Sequence, residues 1–343
     1  MKLAHPLVLL FGAGATRGAF ERNPIPPPVD RDFFEIAGQI KGHGTPVLAR
    51  SVLSDVHNLY GTVFGVGLES YYRDIETREK ISSFAKSANK PRDWEKRREH
   101  LEEFIRRVVI HTTCNSSAGH LKPKGSLDHK RILGTLKKGD TVITFNYDLV
   151  IEESFHGTHV WSPLGGYGDD FHGVRSEWCK NWLRRDGGAS SISSSIRLLK
   201  LHGSINWTLY KTRQVKLKDR PFVVRSGRSE KVSILPPGWN KRIDRSPYKQ
   251  LWKQARLKLE KCKSLVIIGY SLPETDLLAK ALFAEVVRLR AARSNYLRQL
   301  HLADPNDAVK QKFLDLFVPA LSSHSKVFRY SGIHELSAAK HVR

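Results

Sequence analysis

The stretch "VITFNYDLVIEES", residues 142–154, runs apolar and β-branched residues into Asn146-Tyr147-Asp148 and then into a segment with helical character. Four to eight such residues bounded by turn signals make a strand buried on both faces of a parallel sheet. This one ends on an amide and a carboxylate, and buried polar groups of that kind need partners.

The same pattern recurs outward from there. "PLVLLFG" at 6–12 is an apolar run closed by glycine, and "SIRLLKLHG", "KSLVIIGY" and "RQLHLAD" have strand character in turn. Pro26, Pro27 and Pro28 mark an extended connection before "VDRDFFEIAGQI", which opens a helix. Trp94, Leu101, Phe104, Ile105, Val108 and Val109 recur at helical spacing among charged residues. Strands alternating with helices predict an α/β protein with a Rossmann-like, doubly wound, mostly parallel sheet. Within one domain covering residues 1–343, the stretch at about 41–130 reads as a helical insertion. Residues 155–195, rich in Gly, Ser and aromatics, read as a flexible loop or lid.

The 343 residues include 57 Lys and Arg against 34 Asp and Glu, a formal +23, so the surface attracts phosphate-bearing partners through a salt-screened field. An apolar share of 40% suffices for a core. Cys114, Cys179 and Cys262 are too scattered for a disulfide framework or a Cys-x-x-Cys zinc pair, which points to a reducing, cytoplasmic setting. "LVLLF" followed by Ala-Gly-Ala echoes a secretory leader, yet its five apolar residues fall short of the roughly 7 to 15 such a region needs. No stretch approaches the roughly 20 apolar residues of a membrane span.

In doubly wound sheets ligands sit beyond the carboxyl ends of the strands, so the residues just after each strand carry the functional expectations. At Gly12-Ala13-Gly14-Ala15-Thr16, with Arg17 beside it, missing side chains let backbone approach a pyrophosphate. Gly18 falls four residues after Gly14, and Asp30 and Asp32 lie in the proline-rich connection, so the dehydrogenase fingerprint is not met. The alternative is a turn needed only for packing. Asn146 can orient a water or a sugar hydroxyl, and Asp148 can bind an amide or steady a cationic transition state; the alternative is an Asx turn capping a helix that begins at Leu149. His202, at a strand end and followed by Gly203, is placed as a general base, or as a structural histidine. In Gly269-Tyr270-Ser271-Leu272-Pro273-Glu274-Thr275-Asp276, Ser271 and Glu274 have capping-box spacing and Pro273 suits a first helical turn. Asp304 or Asn306, at a fifth end, can hydrogen-bond a base or a ribose.

"GAG", "TFNYD" and "KLHGS" resemble the three signatures of the sirtuin superfamily, and "LPPGWNK" with "VIIGYSLPETD" resembles its bacterial sirtuin-like branch, associated with NAD-consuming defence against phage. The resemblance implies NAD as substrate. His202 then stands for the catalytic histidine and Asn146 for the asparagine of the Thr-x-Asn-x-Asp motif, with Asp148 facing the nicotinamide. Gly12, Ala13 and Gly14 stand for the phosphate loop, with Ala15, Thr16, Arg17, Gly269, Ser271, Asp276 and Asp304 as further cofactor-binding positions. Phe145 replaces the ribose-binding glutamine of deacylating sirtuins, and the resemblance leaves open whether Arg17 or Arg31 takes the arginine role. Deacylating sirtuins carry a four-cysteine zinc ribbon that three scattered cysteines cannot supply, so no metal is expected and the expectation moves from deacylation to hydrolysis.

The expected activity is therefore NAD glycohydrolase, held latent and released by homo-oligomerisation, a partner protein or an infection signal. The alternatives are an NAD-dependent deacylase or ADP-ribosyltransferase, and a non-catalytic nucleic-acid-binding module. Residues 211–263 hold 17 Lys or Arg against four Asp or Glu, with Trp239, Tyr248 and Trp252 interleaved, a pattern that suits phosphate tracking and base stacking.

Overall fold

The computed structural model describes residues 2–40, 45–84, 91–117, 120–168, 182, 194–209, 215–217, 231–235, 243 and 246–340. "LVLLF" forms β1 (Leu7–Phe11), buried along its whole length. The chain continues through α1 (Ala13–Ala19), α2 (Phe33–Gln39), α3 (Thr45–Tyr60), α4 (Leu68–Phe84), α5 (Pro91–Thr113), the hairpin β2 (Cys114–Ser117) and β3 (His120–Pro123), and α6 (Leu127–Leu133). Then come β4 (Thr141–Thr144), α7 (Val150–Ser154), α8 (Pro163–Gly166), β5 (Arg197–Lys200), β6 (Gly203–Leu209), β7 (Val215–Leu217), β8 (Lys231–Ile234) and α9 (Tyr248–Lys261). The last part is β9 (Ser264–Ile268), α10 (Leu277–Ala292), β10 (Gln299–Ala303), α11 (Asp307–Phe317), β11 (Lys326–Tyr330) and α12 (Ile333–Ala338).

Six strands form one sheet in the order β11-β10-β9-β1-β4-β5, every neighbouring pair parallel. The chain builds outward from β1 through β4 to β5, then returns to the other side of β1 for β9, β10 and β11. That is the doubly wound Rossmann order, with its topological switch point between β1 and β9. The sheet is the one the strand pattern predicts, with an additional edge strand, β11. "KVFRY" escaped notice because four of its five positions are exposed or half-buried, leaving no continuous apolar run.

Register decides where the polar strand ends come out. Phe11 pairs with Thr144 on one side and Ile268 on the other, Thr144 pairs with Lys200, and Ile268 with Ala303. The next residue of each strand is therefore level with the others, so Gly12, Phe145, Leu201, Gly269 and Asp304 leave the sheet along one edge.

Helices cover the sheet in two groups. α1, α6, α7 and α12 pack together, and α10 packs with α9 and α11, consistent with right-handed crossovers on opposite sides of the switch point. The inner stripe of α10 shows why it forms: Ala279, Leu282, Phe283, Val286, Val287 and Arg290 are buried at helical spacing. Arg290 belongs there because its guanidinium donates to the carbonyls of Leu259, Glu260 and Cys262, which end α9 without intrahelical partners.

The stretch at 41–130 contains α3, α4 and α5, which share with α2 a second apolar cluster around Phe34, Val56, Ile75, Leu101 and Phe104. Its last residues differ in kind: β2 and β3 pair antiparallel, and α6 places Ile132 and Leu133 in the core of the main sheet. Immediately after β5 the chain turns into an antiparallel sheet of order β7-β6-β8. Gly203 makes that turn at φ +82°, where a side chain would be strained.

Candidate active site

At the switch point the β1–α1 turn presses against the β9 exit. A Cβ on Gly12 would lie 2.5 Å from the Gly269 carbonyl oxygen, and one on Gly269, whose φ is +58°, would lie 2.1 Å from the Ala15 nitrogen. The amides of Gly12 and Gly14 donate to the carbonyls of Ile268 and Gly269 at 3.0 and 2.8 Å, and the Ala15 amide to Gly12 at 3.0 Å. Packing thus accounts for these glycines, while Ala13 is the exposed residue of the turn.

The Asn-Tyr-Asp strand end meets this same turn. The Asn146 carboxamide nitrogen donates to the Gly12 carbonyl at 3.0 Å and to the Thr16 hydroxyl oxygen at 3.1 Å; that hydroxyl donates on to Asp148 Oδ2 at 3.0 Å. Asp148 Oδ1 accepts the Val150 amide at 3.0 Å, so the Asx cap is real as well, although α7 begins at Val150 and not at Leu149. One carboxylate thereby serves a cap and a tether.

His202, 5% exposed, follows β5 and is held by its carbonyl, which accepts the Leu235 amide at 2.8 Å. Its Nε2 lies 3.4 Å from Asp276 Oδ2, and the Tyr270 hydroxyl donates to that oxygen at 2.9 Å. The Phe145 ring stacks on Tyr270 with centroids 4.2 Å apart and meets His202 edge-on at 5.0 Å. Burial pushes the Tyr147 and Tyr270 phenols well above their ordinary range, so both remain neutral donors.

The capping box expected at Ser271 and Glu274 does not form. Leu272 adopts a left-handed φ of +49°, a turn follows, and the helix starts six residues after Ser271, at Leu277, capped by Asp276 Oδ1 on the Ala279 amide at 3.4 Å. Ser271 is exposed, and Glu274 instead pairs with Lys280 and, at 2.8 Å, with Lys312. Asp304 accepts the Asn306 amide at 2.9 Å, and Asn306 caps α11 through the Ala308 amide at 2.9 Å. Burial raises the Asp304 carboxyl, and the charge of Arg31 works against that shift. Arg17 is anchored elsewhere, donating to the Pro27 carbonyl at 2.9 Å and pairing with Asp32 at 3.1 Å.

The predicted residues thus form two contacting groups on one edge. Gly12, Thr16, Asn146 and Asp148 make the first; His202 and Asp276, with Tyr270 beside Gly269, make the second. Ser271, which is exposed, and Asp304, which accepts the Asn306 amide, lie on the same edge. Phe145, Tyr270 and Lys200 were missed as contributors. Lys200 donates from β5 to the Asp148 carbonyl and pairs with Glu152 Oε1 at 2.9 Å, an oxygen that also accepts the Tyr167 hydroxyl at 2.8 Å. A lysine inside a strand buried on both faces must meet a buried acceptor, and that signal was present in "RLLKLHG".

The expectation of a stacking face in residues 211–263 fails for two of its three aromatics. Tyr248 and Trp252 are 5% and 7% exposed on the inner side of α9, and Trp252 Nε1 donates to the Leu201 carbonyl at 3.2 Å. The amphipathic spacing of α9 turns its rings inward and leaves Lys249, Lys253 and Lys261 outside. Trp239 lies outside the described residues, as does most of 169–193. Within 155–195, Trp161, Tyr167 and Trp182 are buried in the main core. Among the described residues no cluster of His, Cys, Asp and Glu could hold a metal ion, and no helix is long and apolar enough to cross a membrane.

A Rossmann-order sheet with polar strand ends gathered at its switch point defines an α/β protein of the nucleotide-binding type of architecture. The chain belongs to the SIR2-like domain family, whose model matches residues 140–315, just over half of it. Similar solved structures include a Sir2 homologue in complex with NAD, 13% identical, covering 98% of this chain and 88% of that one with a TM-score of 0.43. Another is a variant Sir2 homologue in complex with ADP-ribose, 14% identical, covering 98% and 91% with a TM-score of 0.42. None of the curated proteins matches the chain.

Proposed function

We propose that the protein is an NAD glycohydrolase that cleaves the nicotinamide–ribose bond to give nicotinamide and ADP-ribose. The observation that carries this reading is the gathering of Asn146 and His202 on one sheet edge, level in register on neighbouring strands and next to the glycine crossing at the switch point. Membership of the SIR2-like family supports NAD as the substrate.

In that reaction the C–N bond electrons leave with nicotinamide, which departs as a neutral pyridine, and the ribose becomes oxocarbenium-like. The protein has to hold the pyrophosphate, exclude bulk water and deliver one water. The pyrophosphate would lie over the start of α1, where Ala13 is exposed, with Gly12, Gly14, Ala15, Thr16 and Arg17 shaping the turn. Asp148 would stand on the nicotinamide side, Asn146 would orient the water or a ribose hydroxyl, and His202 would take the proton as the water oxygen bonds to the ribose. Gly269, Ser271, Asp276 and Asp304 would border the rest of the dinucleotide. A freely active enzyme of this kind would drain the NAD of the cell that makes it. The proposal therefore includes a latent state, released by self-assembly, a partner protein or a polyanion, and suited to defence against phage in the cytoplasm.

The test is to incubate purified protein with NAD, with and without nucleic acid, and to follow nicotinamide and ADP-ribose by chromatography. His202→Ala and Asn146→Ala are each expected to slow nicotinamide release by about 10²- to 10⁴-fold. Wild-type release by both variants would overturn the assignment. O-acyl-ADP-ribose or modified peptide formed with an acyl-lysine acceptor, in place of free ADP-ribose, would replace hydrolysis by transfer.

A further inference from the structure

We propose that Asp276 is the positioning residue of His202, holding the imidazole as its Nε2–H tautomer so that Nδ1 is the proton-accepting nitrogen, with Tyr270 setting the strength of the carboxylate. The inference rests on the proposed role of His202 and gives Asp276 a different task from contact with the dinucleotide.

Three observations carry it. Asp276 Oδ2 lies 3.4 Å from His202 Nε2, a separation that a modest closure on ligand binding would shorten to a hydrogen bond. The same oxygen accepts the Tyr270 hydroxyl at 2.9 Å, and the other oxygen accepts the Ala279 amide at the positive end of α10. The carboxylate is 1% exposed, and such a group stays ionised in a buried site only with donors of this kind. An imidazole nitrogen facing an ionised carboxylate carries the proton, which leaves the other nitrogen as acceptor.

Topology makes the pairing specific. His202 leaves β5, in the first half of the sheet, whereas Asp276 follows β9, in the second, with β1 and β4 between them. The contact spans the switch point, so the imidazole is oriented only when both halves are in place. Phe145 at 5.0 Å, Tyr147 at 6.2 Å and Trp252 at 6.5 Å restrict its rotation. Among the described residues, the titratable groups around this cluster include Tyr72, Tyr147, Tyr248, Tyr270 and Glu69 of α4, whose charge bears on both Tyr147 and Tyr270. Those two phenols stay neutral, so among the described residues the anionic groups that bear on them are Asp276, in contact with His202, and Glu69.

The experiment is an NMR titration of the His202 ring in the full chain, its resonances identified by their loss in His202→Gln. Asp276→Asn keeps the shape and the helix cap while removing the charge. It is expected to lower the His202 pKa by about 1 to 3 units and to abolish the Nε2–H preference in nitrogen-15 spectra. Tyr270→Phe, which frees the carboxylate of one donor, is expected to move the pKa the other way, and Glu69→Gln to move it less than Asp276→Asn. Circular dichroism confirms that each variant is folded. An unmoved titration in folded Asp276→Asn, or a larger shift from Glu69→Gln, would overturn the pairing whatever the activity. With NAD, Asp276→Asn is expected to lower kcat by about 10²-fold with KM little changed. If the titration shifts as expected while nicotinamide release stays at the wild-type rate in Asp276→Asn and in His202→Ala, the pairing stands and the hydrolase reading falls.

Discussion

Thr16 shows how one hydroxyl joins two distant pieces of sequence. It accepts from Asn146 and donates to Asp148, both about 130 positions further along the chain. Thr16→Val keeps the shape and removes both bonds, leaving a buried carboxylate oxygen without its donor. The expected loss is about 1.5 to 3 kcal/mol, the range for hydrogen bonds to charged groups, read as a lower urea midpoint with unchanged slope. Thr16→Ser should retain most of the wild-type midpoint. Sequence reading placed Thr16 at the ligand edge from its position after Gly-Ala-Gly, but a bond across 130 residues has no local signature. The same holds for Asp276: its sequence neighbours advertise a cap, whereas its contact with His202 comes from the sheet order.

At the scale of elements, α7 and β5 are joined beneath the Asn-Tyr-Asp turn by a buried ion pair. Lys200 and Glu152 are both fully buried, and Tyr167, from the segment after α8, donates to the same carboxylate oxygen. Burial raises the Glu152 carboxyl, and Lys200 opposes that rise. Lys200→Met removes the cation that opposes that rise and strips the buried carboxylate of its partner, at a cost of up to about 3 to 5 kcal/mol where Glu152 is ionised. The sign with pH follows from the raised carboxyl: in the variant, stability returns as acid protonates Glu152, so the gap from wild type should narrow as pH falls. Urea denaturation of both proteins across pH checks this, and a gap independent of pH would refute it. The elements themselves were largely legible. Three inner strands, β1, β4 and β9, were runs of apolar and β-branched residues, and α5 had an apolar stripe. The antiparallel β6–β8 sheet was not legible, because its strands follow His202 without a turn signature beyond Gly203. The start of α10 was misplaced because Ser271 and Glu274 imitate a capping box that the left-handed Leu272 prevents.

Across the whole molecule the balance of buried titratable groups sets how the fold tolerates acid. His129 on α6 is fully buried against Phe11, with ring centroids 5.2 Å apart, and neither ring nitrogen has a hydrogen-bond partner. Burial lowers its pKa from 6.5 to about 4. The unfolded chain therefore binds a proton that the folded chain refuses, so this contribution is intact above pH 6.5 and is lost as pH falls toward about 4, amounting to about 3 kcal/mol. Asp30, Glu152 and Asp304 have raised carboxyls and act in the opposite sense, adding stability as acid protonates them. His129→Leu isolates the histidine: its unfolding free energy should fall less than that of wild type between pH 7 and pH 4.5, and parallel curves would contradict the assignment. The central place of β1 bears on how the protein is made. β1 leaves the ribosome before either of its sheet neighbours, one of which begins at Thr141 and the other only at Ser264. At about 5 to 20 residues per second, an apolar five-residue ribbon waits roughly ten to fifty seconds for its second flank, an interval in which a chaperone must shield it or a neighbouring nascent chain will pair with it instead.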